Sequence, residues 1–91
     1  MSKIKITRQH QLDDDTVRDK VQALADKLSE ELSADYTWED DRMVFKRSGA
    51  SGFVRMGVGE LEIEIKLGML LRPLKAMVEK TIVDYLDEKL V

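Results

Sequence analysis

The stretch YTWEDDRMVFKRSGASGFVRMGVGELEIEIKL, residues 36–67, decides the fold. Apolar and polar residues alternate through it with period two, the spacing that puts every second side chain of a strand on one face. Three pairs of turn-forming residues cut it into four strands. A two-residue turn at Asp40-Asp41 sets Glu39 opposite Arg42, Trp38 opposite Met43 and Tyr36 opposite Phe45. The four large apolar side chains then share a face, and the acid and base pair on the other. Gly49-Ala50, with Gly first as a type II′ turn requires, predicts Phe45 opposite Val54 and Met43 opposite Met56. A third reversal at Val58-Gly59 brings Met56 opposite Leu61 and Val54 opposite Ile63, and Ile65 and Leu67 extend the same apolar face.

Working outward, Ile4 and Ile6 alternate with Lys3, Lys5 and Thr7, which predicts a short half-buried strand. The polar side of the last strand carries Glu60, Glu62, Glu64 and Lys66, so laying the first strand beside it pairs Lys3 and Lys5 with acids across the ladder. Between the first strand and the meander, Val17, Val21, Leu24, Leu28 and Leu32 draw one stripe along a helix. Any of Asp13, Asp14 and Asp15 can cap it, and acids in a first turn suit the positive end of the helix dipole. Gly68 ends the last strand, and Pro73 fits the first turn of a second helix. Its stripe is Leu71, Leu74, Val78, Ile82, Tyr85 and Leu86, with Met77 and Leu90 on its flanks. The order is β-α-β-β-β-β-α. An antiparallel sheet with one apolar face is completed most simply by packing both amphipathic helices on that face, an α+β fold.

The chain has 91 residues, which predicts one domain over 1–91. Its charged fraction of 36% beside a hydrophobic fraction of 43% reads as a folded, very soluble protein. The net charge of −3 comes from interspersed charges, with no like-charge block longer than Asp13 to Asp15, and lacks the basic footprint of a nucleic-acid binder. Without Cys there are no disulfides, thiolate metal sites or thiol nucleophiles. The longest mostly apolar run, around Leu67 to Leu74, is too short to span a bilayer, and no apolar signal segment opens the chain. The expected location is cytoplasmic, without membrane insertion.

The usual catalytic sets find no support. His10 is the one histidine, no nucleophile-elbow motif surrounds any serine, and no carboxylate pair is marked as converging in an apolar pocket. His10 reads as a surface or helix-packing residue. The Asp13 to Asp15 run lacks the ligand spacing of a calcium loop. Neither catalytic, cofactor-binding nor metal-ligating residues are assigned. Ser48-Gly49-Ala50-Ser51-Gly52 reads as a hairpin rather than a phosphate cradle, since no Walker lysine and no helix follow it. Lys46, Arg47 and Arg55 with Phe53 have the mixture of a strand-based nucleic-acid platform, but Glu60, Glu62 and Glu64 would repel phosphates, so no nucleic-acid partner is expected. More informative are apolar residues outside the expected core. Val44 and Phe53 project from the open sheet face, and Met69, Leu70 and Leu71 crowd the start of the last helix. These five are the candidate partner contacts.

Several features combine into a family resemblance: His10-x-Leu12 after the first strand, Trp38, Phe45-Lys46-Arg47-Ser48-Gly49-Ala50-Ser51-Gly52, and Leu67-Gly68 before the final helix. The chain resembles the small polyhydroxyalkanoic acid system family over nearly its whole length. The resemblance implies a bacterial cytoplasmic protein connected with polyester storage granules, and it supplies no catalytic residues. By analogy of element order alone, the fold is similar to a shortened helix-grip. Trp38, Phe45, Met56, Met77 and Tyr85 are expected to fill the space that larger helix-grip relatives use for ligands.

Three functions follow as expectations. The first is a non-enzymatic accessory protein that binds the polyhydroxyalkanoate granule or a granule protein. The second is a small hydrophobic-ligand carrier or weak hydrolase-like domain, which requires a cavity near Trp38 and Tyr85. The third is a homodimer through the open sheet face or an edge strand.

Overall fold

Period-two alternation produces five strands: β1 (Ser2–Gln9), β2 (Asp35–Glu39), β3 (Arg42–Arg47), β4 (Ala50–Gly57) and β5 (Glu60–Leu67). They are seen in a computed structural model of the protein that describes residues 2–90. Helix α1 (Asp14–Leu32) follows β1, and α2 (Lys75–Lys89) follows β5 through a 3-10 helix at Met69–Leu74. The order is therefore β-α-β-β-β-β-α and the fold α+β, as the periodicity predicts. All pairings are antiparallel and the strands lie in the order β1-β5-β4-β3-β2, with β4 in the centre and β1 and β2 at the edges.

Two of the three predicted hairpins hold residue for residue. Tyr36 faces Phe45, Trp38 faces Met43 and Glu39 faces Arg42 across the first. Met56 faces Leu61 and Val54 faces Ile63 across the third. Strand β1 lies beside β5, with Lys5 opposite Glu64 as expected, but Lys3 faces Lys66 rather than an acid and reaches diagonally to Glu64 instead. The middle hairpin differs from expectation by two residues: Met43 faces Val54 and Phe45 faces Gly52, around a turn at Ser48-Gly49 rather than Gly49-Ala50. Gly49 is the turn residue with positive φ, at +85°, so it takes the second central place where a left-handed residue is needed. The slip leaves every side chain on its predicted face, because two residues is one full period of a strand. It also sets the Phe45 side chain across from Gly52, where an aromatic can cover a position that has no side chain of its own.

Helix α1 begins at Asp13, whose carboxylate accepts the Thr16 N–H at 2.8 Å. That bond holds the Asp13 carboxyl below the ordinary range. The helix ends at Ser33, which takes a left-handed φ of 53° while its N–H bonds back to the Ser29 carbonyl. The second helix departs from expectation at its start. Pro73 lies inside the 3-10 helix, and α-helix begins only at Lys75. Pro73 has no N–H to donate and disfavours the α conformation at Arg72, so the chain turns through the tighter helix first. No residue of that turn is buried, and Leu71 and Leu74 are only half-buried.

Both helices cover one face of the sheet. Val17, Val21, Leu24, Leu28 and Leu32 of α1 and Val78, Ile82 and Leu86 of α2 are buried with Ile4, Ile6, Met43, Phe45, Val54, Leu61, Ile63, Ile65 and Leu67 of the strands. Each such aliphatic side chain contributes about 1.5–3 kcal/mol on leaving water. Tyr85 ties the helices together by donating its hydroxyl to the Lys20 carbonyl at 2.8 Å. Of the five residues expected to fill the space between sheet and helices, Phe45 is buried, and Trp38, Met56 and Tyr85 are partly so. Met77 is instead exposed, on the outward side of α2, because the stripe through Val78, Ile82 and Leu86 sets that helix's rotation.

Candidate functional site

The five-stranded ladder fixes what the uncovered face presents. Since register aligns side chains across strands, the outward residues form cross-strand rows. One row reads Thr37, Val44, Phe53, Glu64, Lys5, and the next, toward the Ser48-Gly49 turn, reads Asp35, Lys46, Ser51, Lys66, Lys3. Val44 and Phe53 are thus direct partners at the middle of the face, both half-exposed. Arg42 holds its guanidinium 5.6 Å from the Phe53 ring centre, within cation–π range.

Small residues make a depression there. Ser51 and Gly52 lie between the long stems of Lys46 and Lys66, and Phe53 stands at one end, enclosing a groove of about 240 Å³. Ser51 and Lys66 also line the next hollow, which runs past Ala50 and Gly49 to Gly68. The two hollows thus meet at Ser51 and Lys66, near the end of the sheet. At that end the Gly68 N–H donates to the Gly49 carbonyl at 2.7 Å, closing the two backbones together. A Cβ on Gly68 would come within 3.0 Å of that carbonyl oxygen, so the approach depends on glycine.

The charges around the groove are unevenly paired. The Lys3 ammonium bonds Glu64 at 2.5 Å and holds its carboxyl below the usual carboxylate range, with Lys66 and Lys5 adding to the effect. Arg55 bonds Glu62 at 3.1 Å, and Arg42 lies 3.3 Å from Glu39. Of the acids expected to repel anions, Glu62 and Glu64 are thus paired with neighbouring cations, and Glu60 has none within 4.0 Å among the described residues. No carboxylate lies within 4.0 Å of Lys5, Lys46 or Lys66 among the described residues.

The remaining candidate contacts lie apart from Val44 and Phe53. Met69 and Leu70 are 84% and 93% exposed on the 3-10 helix, and Leu71 folds back against the Ser48-Gly49 turn. The row of Lys46, Ser51 and Lys66 separates the two groups, so they are not one apolar patch. Elsewhere, the gap beside Tyr85, lined by Val21, Leu24, Leu61 and Leu86, admits no water-sized sphere. Among the described residues no three of His, Asp and Glu gather closely enough to hold a metal ion, and no helix is long and apolar enough to cross a membrane.

The family model described as "Putative polyhydroxyalkanoic acid system protein" matches residues 4–90. The chain belongs to this family. Neither a curated protein nor a solved structure matches it. The residues that carried the resemblance to the polyhydroxyalkanoic acid system family take structural places. His10 accepts the Leu12 N–H on Nδ1 at 3.2 Å and joins β1 to the β4–β5 turn by donating its own N–H to the Gly59 carbonyl at 3.0 Å. Its Nε2 is buried without a partner among the described residues. Trp38 donates to Gln22 at 2.8 Å, and Arg18 lies over its ring at 4.1 Å. Gln22 in turn donates to the Tyr36 hydroxyl, which itself donates to Asp26 and titrates above the ordinary tyrosine range because of that bond. This polar seam pins the edge strand β2 to α1. Sequence reasoning missed it, although Arg18, Gln22 and Asp26 recur every four residues along one side of the helix. Of the other residues that carried the resemblance, Phe45, Lys46, Ser51 and Gly52 line the groove, and Arg47, Gly49, Ala50, Leu67 and Gly68 line the hollow beside it.

Proposed function

We propose that this member of the polyhydroxyalkanoic acid system family is a non-enzymatic accessory protein of the bacterial cytoplasm that associates with polyester storage granules, binding the granule surface or a granule protein. The observation that carries the reading is the apolar step at Met69 and Leu70, 84% and 93% exposed on a 3-10 helix with no buried residue of its own. Exposing two large adjacent apolar side chains in a chain this charged costs solubility, and contact with an apolar surface removes that cost. The closed gap beside Tyr85 favours a surface contact over a ligand held between sheet and helices.

Co-sedimentation with isolated granules tests the proposal. The protein is expected in the granule pellet, and Met69→Ser combined with Leu70→Ser is expected to lower the bound fraction severalfold without changing the fold, since neither side chain is packed. Detergent-washed granules separate the two targets: retained binding identifies the granule surface, and lost binding identifies a granule protein. A wholly soluble distribution with native granules overturns the proposal.

A further inference from the structure

The geometry points to the groove along β4 as a binding site for an aliphatic carboxylate, with the anionic head between Lys46 and Lys66 and the alkyl chain against Val44 and Phe53. This deepens the reading above, resting on it for the biological setting but on the groove alone for its chemistry.

The head position follows from one cross-strand row. Lys46, Ser51 and Lys66 are consecutive partners on β3, β4 and β5, so the two lysine Cα atoms lie two strand spacings apart, about 10 Å. Two ammonium groups on four-carbon stems can converge over a serine from that separation, and the Ser51 hydroxyl supplies a third donor between them. Neither lysine has an acid within 4.0 Å among the described residues. Glu64, the one carboxylate lining the groove, is occupied by Lys3. The groove lining therefore sets Arg42, Lys46 and Lys66 against Glu64, with Asp35 across the ladder from Lys46 but more than 4.0 Å from its ammonium, a local positive excess in a chain whose net charge is −3.

The tail position follows from the next row along the same strands. Val44 and Phe53 face each other there, and the rows are two residues apart, about 7 Å. A ligand with its anion at Ser51 thus meets Val44 and the Phe53 ring within a few methylene lengths, with the Arg42 guanidinium on that ring and the Lys3-bound Glu64 beside it. A polyanion is a poorer match, because the arginines beyond Phe53 are already taken, Arg42 by Glu39 and Arg55 by Glu62, and Glu60 there has no cation within 4.0 Å among the described residues. A single charge followed by hydrocarbon suits this order of surfaces. The groove is open to solvent along its length, so binding is expected to be weak and fast in exchange.

Titration of the full chain with sodium decanoate below its micelle concentration, followed by backbone amide NMR, tests the assignment. Saturable shifts are expected at Lys46, Ser51, Gly52, Phe53 and Lys66. Acetate, with the head alone, and decyltrimethylammonium, with the tail alone on a cation, are each expected to bind at least tenfold more weakly. Lys46→Glu with Lys66→Glu should lose at least tenfold in decanoate affinity while the amide spectrum stays native, both residues being on the exposed face. Absence of saturable shifts, shifts confined to Met69 and Leu70, or equal binding of the cationic surfactant overturns the site. Binding of a short oligothymidylate in the groove more tightly than decanoate would reassign it to nucleic acid. Because no granule is present, a negative result here leaves a positive co-sedimentation standing, and the two proposals fail separately.

Discussion

The two faces of one sheet behave as different materials. On the inner face the central side chains are covered by the helices: Ile4, Met43, Val54, Leu61, Ile63, Ile65 and Leu67 are all at most 2% exposed, and Trp38 and Met56 are partly buried. On the outer face the same strands carry Val44 and Phe53 among lysines, arginines and glutamates, with no element over them among the described residues. The inner face is fixed by the hydrophobic effect, which is non-directional and tolerates no vacancy. The outer face is free of that demand, so its composition can follow a ligand. The comparison predicts that inner substitutions change stability and outer substitutions change binding.

Ile63 gives the largest expected effect. It lies on β5 between Ile6 and Val54 and is completely buried. Ile63→Ala should cost about 2–5 kcal/mol in urea unfolding, from the lost transfer energy and the cavity left behind. Decanoate affinity, measured well below the unfolding midpoint, should be unchanged. A loss below 1 kcal/mol would mean that the inner face is loosely packed, and the contrast with the outer face would fail at its firmer end.

Gly52 is where the two faces depend on a single residue. It points inward opposite Phe45, yet its backbone helps to line the outer groove. A Cβ there would lie 2.5 Å from the Glu64 carbonyl oxygen and 3.0 Å from the Ile65 Cα. Those are backbone atoms that cannot rotate away, so β4 and β5 must move apart. Gly52→Ala should destabilise by about 1–3 kcal/mol, as overpacking does. It should also shift the amide resonances of Ser51 and Lys66, whose pairing forms the groove. If stability falls with the groove resonances unmoved, the faces are mechanically separate, and groove geometry does not derive from the close approach at Gly52.

The same position explains how far sequence could be read. Element order, the α1 stripe, the Val78, Ile82 and Leu86 part of the second stripe, the first and third hairpins and the β1–β5 neighbourhood are legible, because each is set by periodicity or by charge sign. The β3–β4 register is not, since a two-residue slip keeps Met43, Phe45 and Val54 on the same face and leaves the apolar pattern intact. What separates the two registers is local: the left-handed backbone at Gly49 and the Phe45–Gly52 pairing. The groove was hidden by that slip. Ser51 opposite Lys66 follows from the third hairpin, but Lys46 joins the row only in the observed register, as does the pairing of Val44 with Phe53. Met69 and Leu70 were legible as candidates, whereas their exposure depends on Pro73 imposing a 3-10 turn where an α-helix was expected.

The smallest effect concerns Glu64, and it separates the faces by pH. Its carboxyl is held below the ordinary range by the Lys3 ammonium, with Lys66 and Lys5 nearby. A carboxylate whose pKa is lower folded than unfolded favours the folded state above its unfolded pKa, near 4.3, and loses that contribution as pH falls below it. Glu64→Gln should therefore lower the urea midpoint slightly at neutral pH, and the difference from the parent should shrink as pH falls through the carboxylate range. High salt should shrink it too, because the pair lies at the surface. The Ile63→Ala deficit contains no titrating group and should stay constant over the same range. The variant also removes the one negative charge lining the groove, so decanoate should bind more tightly at neutral pH even as the fold weakens. Opposite signs for stability and affinity in one substitution are what a ligand-directed outer face requires. A parallel loss of both would show that Lys3 and Glu64 serve the fold alone and that the lysines around them are not arranged for an anion.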